Sequence, residues 1–488
     1  MEPVNKMFAR LVPALIPVAC LAAAPYDDLR ADLRRLFAES SAASVAVALA
    51  VDGKIVWEEG LGWADRERRI PANEHTLYSL ASISKPITAT GLMLLVERGL
   101  IDLDKPANEY LGQAKVRARV GDAAQASVRR IANHSSGLPL HYQFFYADEP
   151  FKRPSMDETI MRYASLVTPP GERYQYSNLG FGILDYIVER TSGKRFADYM
   201  REQVFVPLGL THTSVDIGPG LEPYAAARYA PDGSPIPFYT FDHPGGSAIW
   251  SSAHDLVRFG MFHLKSGLAD QRRILRNQSI DEMHKPTMKT GPKAHYGIGW
   301  AIQESDIGMI VSHTGSMGGV ATSLRLVPSR KIAVAVLCNA GVPLPHRVAD
   351  RVFERLIPGW TAASVLVQPP TAFRPPDAIR GKWAGELVTY AKSIPLRMDV
   401  QDDGDIHVRL GSQLETLLNS PGWNDGTLTG QFAGDIGAED ANRRPYTLQL
   451  TLKLREGVMN GPASALSVPS NRAGNALTQW VELRRAQR

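Results

Sequence analysis

This chain predicts an α+β fold with an all-β appendage, and three features carry that prediction. Apolar strands stand near Val45 and near Asn339 with amphipathic helices between them, so one antiparallel sheet joins N- and C-terminal segments, flanked by helices. A proline cluster then interrupts the chain from Gln368 to Pro376, the composition of a stiff linker. Beyond it, apolar and polar residues alternate strictly, as in a run of β-hairpins closing a small barrel or sandwich. A length of 488 residues exceeds one ordinary core and favours two or three domains. The divisions read as a signal segment over 1–24, a first domain over 25–360, a linker over 361–376 and a β-barrel over 377–488.

Taken in order, Lys6 and Arg10 precede an apolar stretch from Leu11 to Ala24 that ends in small residues. That is the layout of a signal peptide, too short to span a bilayer as a helix, so the expected location is the periplasm or the exterior. Cys20 raises a lipoprotein reading, against which Pro17 stands where a lipobox usually has leucine. Leu29 to Ala42 has helical periodicity. Val45 to Val51 is an apolar strand, turned by Asp52-Gly53 into Lys54-Ile55-Val56-Trp57. Helices follow over Thr88 to Gly99, Leu179 to Arg190 and Asp255 to Lys265. Leu324–Val327 and Lys331–Asn339 read as paired strands, with Cys338 a small core residue. In the appendage, Leu396, Met398 and Val400, then Ile406, Val408 and Leu410, then Leu448, Leu450, Leu452 and Leu454 keep the two-residue period.

Composition excludes several functions. Charged residues make up 21% and the formal net charge is +4, with no basic block to track a nucleic acid. No later segment reads as a transmembrane helix. There is no G-x-S-x-G elbow, no H-E-x-x-H and no phosphate loop, so no metal or organic cofactor is implied. A small molecule or peptide is the expected partner, and the oligomeric state is not legible.

The chemistry begins at Ser82-Ile83-Ser84-Lys85, at the head of an apolar helical run. A helix starting there puts Lys85 one turn from Ser82 on the same face. Serine is a poor nucleophile until a base takes its proton, and a desolvated lysine can do so at neutral pH. Four further segments follow in order: the loop His134-Ser135-Ser136-Gly137-Leu138-Pro139, then Tyr176-Ser177-Asn178 before a helix, then Gly245-Gly246-Ser247-Ala248, then Ser312-His313-Thr314-Gly315-Ser316 where a strand begins.

This ordered set resembles the serine β-lactamase and penicillin-binding superfamily, in the class C-like branch that also holds esterases and D-peptidases. S-x-x-K is Ser82/Lys85, Y-x-N is Tyr176/Asn178, and the [K/H]-[T/S]-G strand is His313/Thr314/Gly315. Ser79 to Pro86 and Tyr296-Gly297-Ile298-Gly299-Trp300 match as well, and the resemblance runs from about Val45 to Asn339. It implies a β-lactamase-like sheet with a helical subdomain, and an acyl-enzyme at Ser82. Lys85, kept neutral by burial and a nearby cation, and Tyr176 share the proton work, and which of them is the base stays open. Asn178 holds Lys85 and a polar group of the acyl chain. The Ser82 backbone N–H, with that of Ser316 by family analogy, receives the oxyanion. His313 departs from the lysine usual in members tuned for β-lactams, which weakens carboxylate recognition. The implied enzyme is an esterase or D-amino-acid amidase or peptidase. A β-lactamase or DD-peptidase and a non-catalytic penicillin-binding sensor are the alternatives.

Other residues have plainer readings. His134 is expected to bond backbone, His254 and Asp255 to cap a helix, and Gly245-Gly246 to permit a turn near the cleft. Tyr142, Phe144, Phe145 and Tyr146 either wall an acyl pocket or pack the helical region. Gly381-Lys382-Trp383 resembles the opening of a lipocalin barrel, which could serve as a substrate-gating cap, an oligomerisation surface or a ligand cup.

Overall fold

The structure, a computed structural model, describes residues 26–361 and 373–486. The expected signal segment, with Cys20, and most of the expected linker lie outside the described residues. A nine-stranded antiparallel sheet orders the first part, running Met288–Gly291, Ala294–Tyr296, Ala301–Ser305, Gly308–Met317, Val320–Val327, Ile332–Cys338, Ser44–Val51, Lys54–Asp65, Ile70–Pro71. The N- and C-terminal segments meet at its centre, where Val47 pairs with Val336 and Leu49 with Val334.

Ser44–Val51 explains why its sequence is apolar throughout. Val45, Val47 and Leu49 face the helices Asp27–Ala38 and Leu344–Leu356, while Ala46, Ala48 and Ala50 face the interior that holds the helix Ala253–His263. A strand covered on both faces has no reason to alternate apolar with polar. Alanine on one face lets the helix approach: a Cβ on Gly260 would sit 2.8 Å from Leu326. Cys338 is fully buried in its strand, where burial pushes the thiol up to about 12.

Helix limits shift by a few residues from the sequence reading. The first runs Asp27–Ala38 and stops where Ser40 turns the chain, bonding the Phe37 carbonyl. The second begins later than Ser82: Ala81–Ile83 is a 3-10 turn, and the α-helix spans Ser84–Glu97. The third, Asn178–Ser192, is capped by the Ser177 hydroxyl. The His313 motif lies within Gly308–Met317, not at its start.

The C-terminal residues form a second nine-stranded sheet that curls into a nearly closed barrel, from Gly381–Val388 to Ala476–Arg485. Its inward side chains are buried, and Leu396, Leu428, Leu448, Leu450, Met459 and Leu483 are each 0% exposed. The interior is a packed core. Among the described residues, no helix is long and apolar enough to cross a membrane.

Candidate active site

The turn that presents Ser82 is pinned on every side. Leu80 donates its N–H to Ile249 O at 2.9 Å and accepts the Thr322 hydroxyl at 3.0 Å. Ser84 Oγ accepts the Ile249 N–H at 3.0 Å. Ala81 sits at φ 48°, a left-handed conformation that costs a non-glycine residue about 1 kcal/mol or more and needs such anchoring. Gly315 explains the close approach of the neighbouring strand: a Cβ there would lie 2.1 Å from Leu80 O and 2.3 Å from Thr322 Oγ1.

Lys85 lies one turn on, as its spacing requires, with Nζ 3.1 Å from Ser82 Oγ. It is completely buried. Nζ donates to Asn178 Oδ1 at 2.7 Å and to the Gly246 carbonyl at 2.9 Å. Burial pushes its pKa well below the ordinary lysine value. A neutral amine has two N–H bonds and one lone pair. With both N–H groups directed at Asn178 and Gly246, the lone pair is left for the Ser82 proton. Among the described residues no neighbouring cation adds to this shift, and desolvation by burial is its cause.

Tyr176 completes the set, its hydroxyl 2.9 Å from Ser82 Oγ. Burial raises its pKa well above the ordinary phenol value, so it is a donor. His134 fixes that ring from behind. It takes φ 59°, accepts the Ser177 N–H at Nδ1 (3.2 Å), and packs tilted against the Tyr176 ring with centroids 4.3 Å apart. Its expected role of bonding backbone is what the geometry shows.

His313 does not face the substrate space. Its Nδ1–H donates to Thr314 O and its Nε2 accepts from the Tyr296 hydroxyl, both at 2.7 Å. Burial pushes it down to about 3, so it is a neutral bracket. Thr314 is exposed and lines a separate hollow beside Arg325, Asp350 and Trp360. Of the residues expected to bind substrate, Asn178 and Ser316 line the cleft at Ser82, while the His313, Thr314 and Gly315 side-chain positions do not. Both nitrogens of His313 are already satisfied, and Gly315 is a packing residue.

A cleft of about 360 Å³ opens at Ser82, Tyr176, Asn178 and Ser316. Tyr142, Phe144 and Phe241 form its aromatic wall. Phe145 and Tyr146 do not line it, and Tyr146 stacks instead under Arg444 and Arg472 of the barrel. Several contributors had not been expected, Leu140 and Phe241 among them. His243 precedes Gly245-Gly246, a turn flagged only for its glycines. Met317 and Gly318 extend the His313 motif. Ser467, Ala473, Gly474 and Asn475 come from the barrel. The barrel hairpin reaches the cleft by pairing Tyr142 with Ala476 through two backbone bonds (3.1 and 2.9 Å), while the Phe144 N–H donates to Asn475 Oδ1 at 3.0 Å. No signal in one sequence announces a contact between residues more than 300 positions apart. No Asp, Glu, Lys or Arg side chain lines the cleft among the described residues.

Comparison with known proteins agrees with this arrangement. Residues 29–358 match the family model described as Beta-lactamase. Penicillin-binding protein 4* of Bacillus subtilis is 27% identical over 312 residues, 59% of this chain and 66% of that protein, just under two thirds of its length. The unguisins hydrolase ungD' of Aspergillus campestris is 28% identical over 337 residues, 64% of this chain and 62% of that one. The crystal structure of SurE with D-Leu superposes at a TM-score of 0.62 with 22% identity, covering 92% of this chain and 99% of SurE, so the likeness of fold extends through the barrel. With two thirds of its length in the family model and both its sheets in the fold, the chain belongs to the beta-lactamase family of the penicillin-binding superfamily.

Proposed function

We propose that this protein is a serine hydrolase that forms an acyl-enzyme at Ser82 and acts on uncharged esters or D-amino-acid amides in preference to β-lactams. The observation that carries this reading is the direction of the Lys85 lone pair. Both amine N–H groups are committed to acceptors, and the remaining position faces a hydroxyl 3.1 Å away. In the first step Ser82 Oγ attacks the carbonyl carbon as its proton passes to Lys85. The oxyanion forms against the backbone N–H groups of Ser82 and Ser316. Tyr176, a phenol 2.9 Å from Oγ, hands a proton to the leaving group and is replenished from Lys85. Water then attacks the acyl-enzyme by the reverse route. Lysine rather than tyrosine is the base in this reading, because burial lowers one pKa toward neutrality and raises the other away from it.

Substrate preference follows from charge. A neutral His313 turned toward Tyr296 offers no fixed cation for a carboxylate, and the cleft lining supplies none. The relative named as an unguisins hydrolase is in keeping with hydrolysis, and the one named as a penicillin-binding protein keeps a β-lactamase or DD-peptidase role as the second reading. Turnover of p-nitrophenyl acetate should exceed that of nitrocefin; the reverse order would favour the second reading. Labelling by a fluorophosphonate probe should vanish in Ser82→Ala, whereas an unlabelled wild type would point to a non-catalytic sensor. Export to the periplasm or beyond is part of the proposal, checked by N-terminal sequencing of protein recovered outside the cytoplasm.

A further inference from the structure

We propose that His243 determines acyl-group specificity: its Nε2 accepts a hydrogen bond from an N–H or O–H on the substrate's acyl chain, and Asp242 is the positioning residue that aims it. The inference rests on the ester or amide hydrolase reading above and names a feature of the substrate. His243, Asp242 and His141 are 1%, 2% and 0% exposed and form one chain of contacts beside the cleft. Asp242 Oδ1 lies 2.7 Å from His243 Nδ1 and Oδ2 lies 2.6 Å from His141 Nε2.

A carboxylate only accepts, so the proton of the His243 imidazole sits on Nδ1 and the lone pair on Nε2. Burial opposes ionisation of Asp242, but the two imidazoles outweigh it and hold the carboxyl well below its usual range. Burial also pushes His243 down, keeping the ring neutral and Nε2 an acceptor. The ring cannot swing away. A Cβ on Gly182 would lie 2.8 Å from His243 Cβ, one on Gly246 3.1 Å from its Cδ2, and the Phe241 ring packs 5.3 Å from it.

Nε2 is the remaining polar atom of a ring that lines the cleft with Ser82; among the described residues it has no hydrogen-bond partner in the protein and is not one of the buried orphan atoms, so it stays open to the cleft. The amide oxygens nearby are already engaged: Asn178 Oδ1 by Lys85 and Asn475 Oδ1 by the Phe144 N–H. A substrate that covers this acceptor without offering it a donor strips its water and leaves it unpaired, so the site selects acyl groups that carry a donor. The aromatic wall of Tyr142, Phe144 and Phe241 adjoins His243 and suits the apolar remainder of such a group.

Two achiral esters with one leaving group isolate the effect: phenyl N-acetylglycinate and phenyl 4-oxopentanoate, which differ only in N–H against CH2. The wild type should prefer the first by about tenfold in kcat/KM. His243→Leu should bring the ratio to within about twofold of one, and His243→Gln, whose Oε1 still accepts, should restore most of it. Fluorophosphonate labelling of Ser82 reports an assembled site in each variant. A merely structural role would slow both esters together and leave the ratio unmoved. Equal wild-type rates, or an unchanged ratio in the leucine variant, would overturn the inference while leaving the hydrolase standing. Should the leucine variant not assemble, loss of preference in the labelled glutamine variant would overturn it too. Failure to hydrolyse either ester with Ser82 unlabelled would instead remove the hydrolase reading beneath it.

Discussion

On one side of the cleft, the Ser82 turn, Lys85, Asn178 and Tyr176 form a closed set of buried polar contacts. On the other, the barrel hairpin leans in on backbone pairing at Tyr142 and Ala476 and on ion pairs nearer the surface, Arg472 with Asp148 and Arg444 with Glu149. The first wall has no slack, because moving any member leaves a buried donor or acceptor unpaired. The second is held by contacts of the kind that salt and solvent weaken. The contrast divides the site in two: Ser82 and its proton-sharing partners sit in the rigid wall, and Ser467, Ala473, Gly474 and Asn475 line the compliant one.

The largest effect comes from breaking the rigid wall at Lys85. Lys85→Met keeps the length and apolar stem and removes the amine. Hydrolysis should fall by about a thousandfold or more, since the base that activates the nucleophile is gone. The fold should survive, because a buried group that had to shed its proton on folding is replaced by one with nothing to shed. Asn178 Oδ1 and the Gly246 carbonyl lose a partner, which offsets part of that gain. Activity lost together with a collapse of the thermal midpoint would mean that the amine is structural and the comparison misdrawn.

The next test asks whether His313 belongs to the rigid wall as scaffold. Its folded pKa is depressed to about 3, against about 6.5 in an unfolded chain. Above pH 6.5 neither state binds the proton. As pH falls from there toward 3, the unfolded state takes it up and the native state does not, so stability is lost across that window at about 1.4 kcal/mol per pH unit for this one group. His313→Gln can still meet Tyr296 without titrating. Denaturant melts of the variant should therefore show a shallower loss between pH 6 and pH 4 than the wild type. Parallel slopes would show that His313 is protonated in the native state, which would also reopen carboxylate recognition.

The same contrast explains what could be read in one sequence. Ser82, Lys85, Tyr176 and Asn178 were legible because their chemistry forces fixed spacing and fixed residue types. The central strand was legible because seven consecutive small apolar residues have few other uses. His313 was found, but a strand position does not reveal that Tyr296, two strands away in the sheet, meets its Nε2. The helix that carries Lys85 starts after Ser82 because the strained turn at Ala81 is set by tertiary contacts from Ile249 and Thr322, not by local propensity. His243 was passed over beside two conspicuous glycines. The barrel was predicted as an alternating segment, yet which of its three roles it fills was beyond sequence.

The smallest effect sharpens the compliant wall. Asn475 is nearly buried, and its Oδ1 is the acceptor for the Phe144 N–H. Asn475→Ala leaves that N–H unpaired at a cost of about 1–3 kcal/mol and loosens the hairpin where it meets the aromatic wall. Ser82, Lys85 and Tyr176 share no hydrogen bond with it, so the rate of labelling by a small fluorophosphonate should stay as it was. KM for esters with long or bulky acyl groups should shift by up to about tenfold, with kcat nearly constant, because only uniform binding is altered. Should kcat instead fall with KM unmoved, the hairpin would be supporting the reacting atoms themselves, and the two walls would be one machine rather than two.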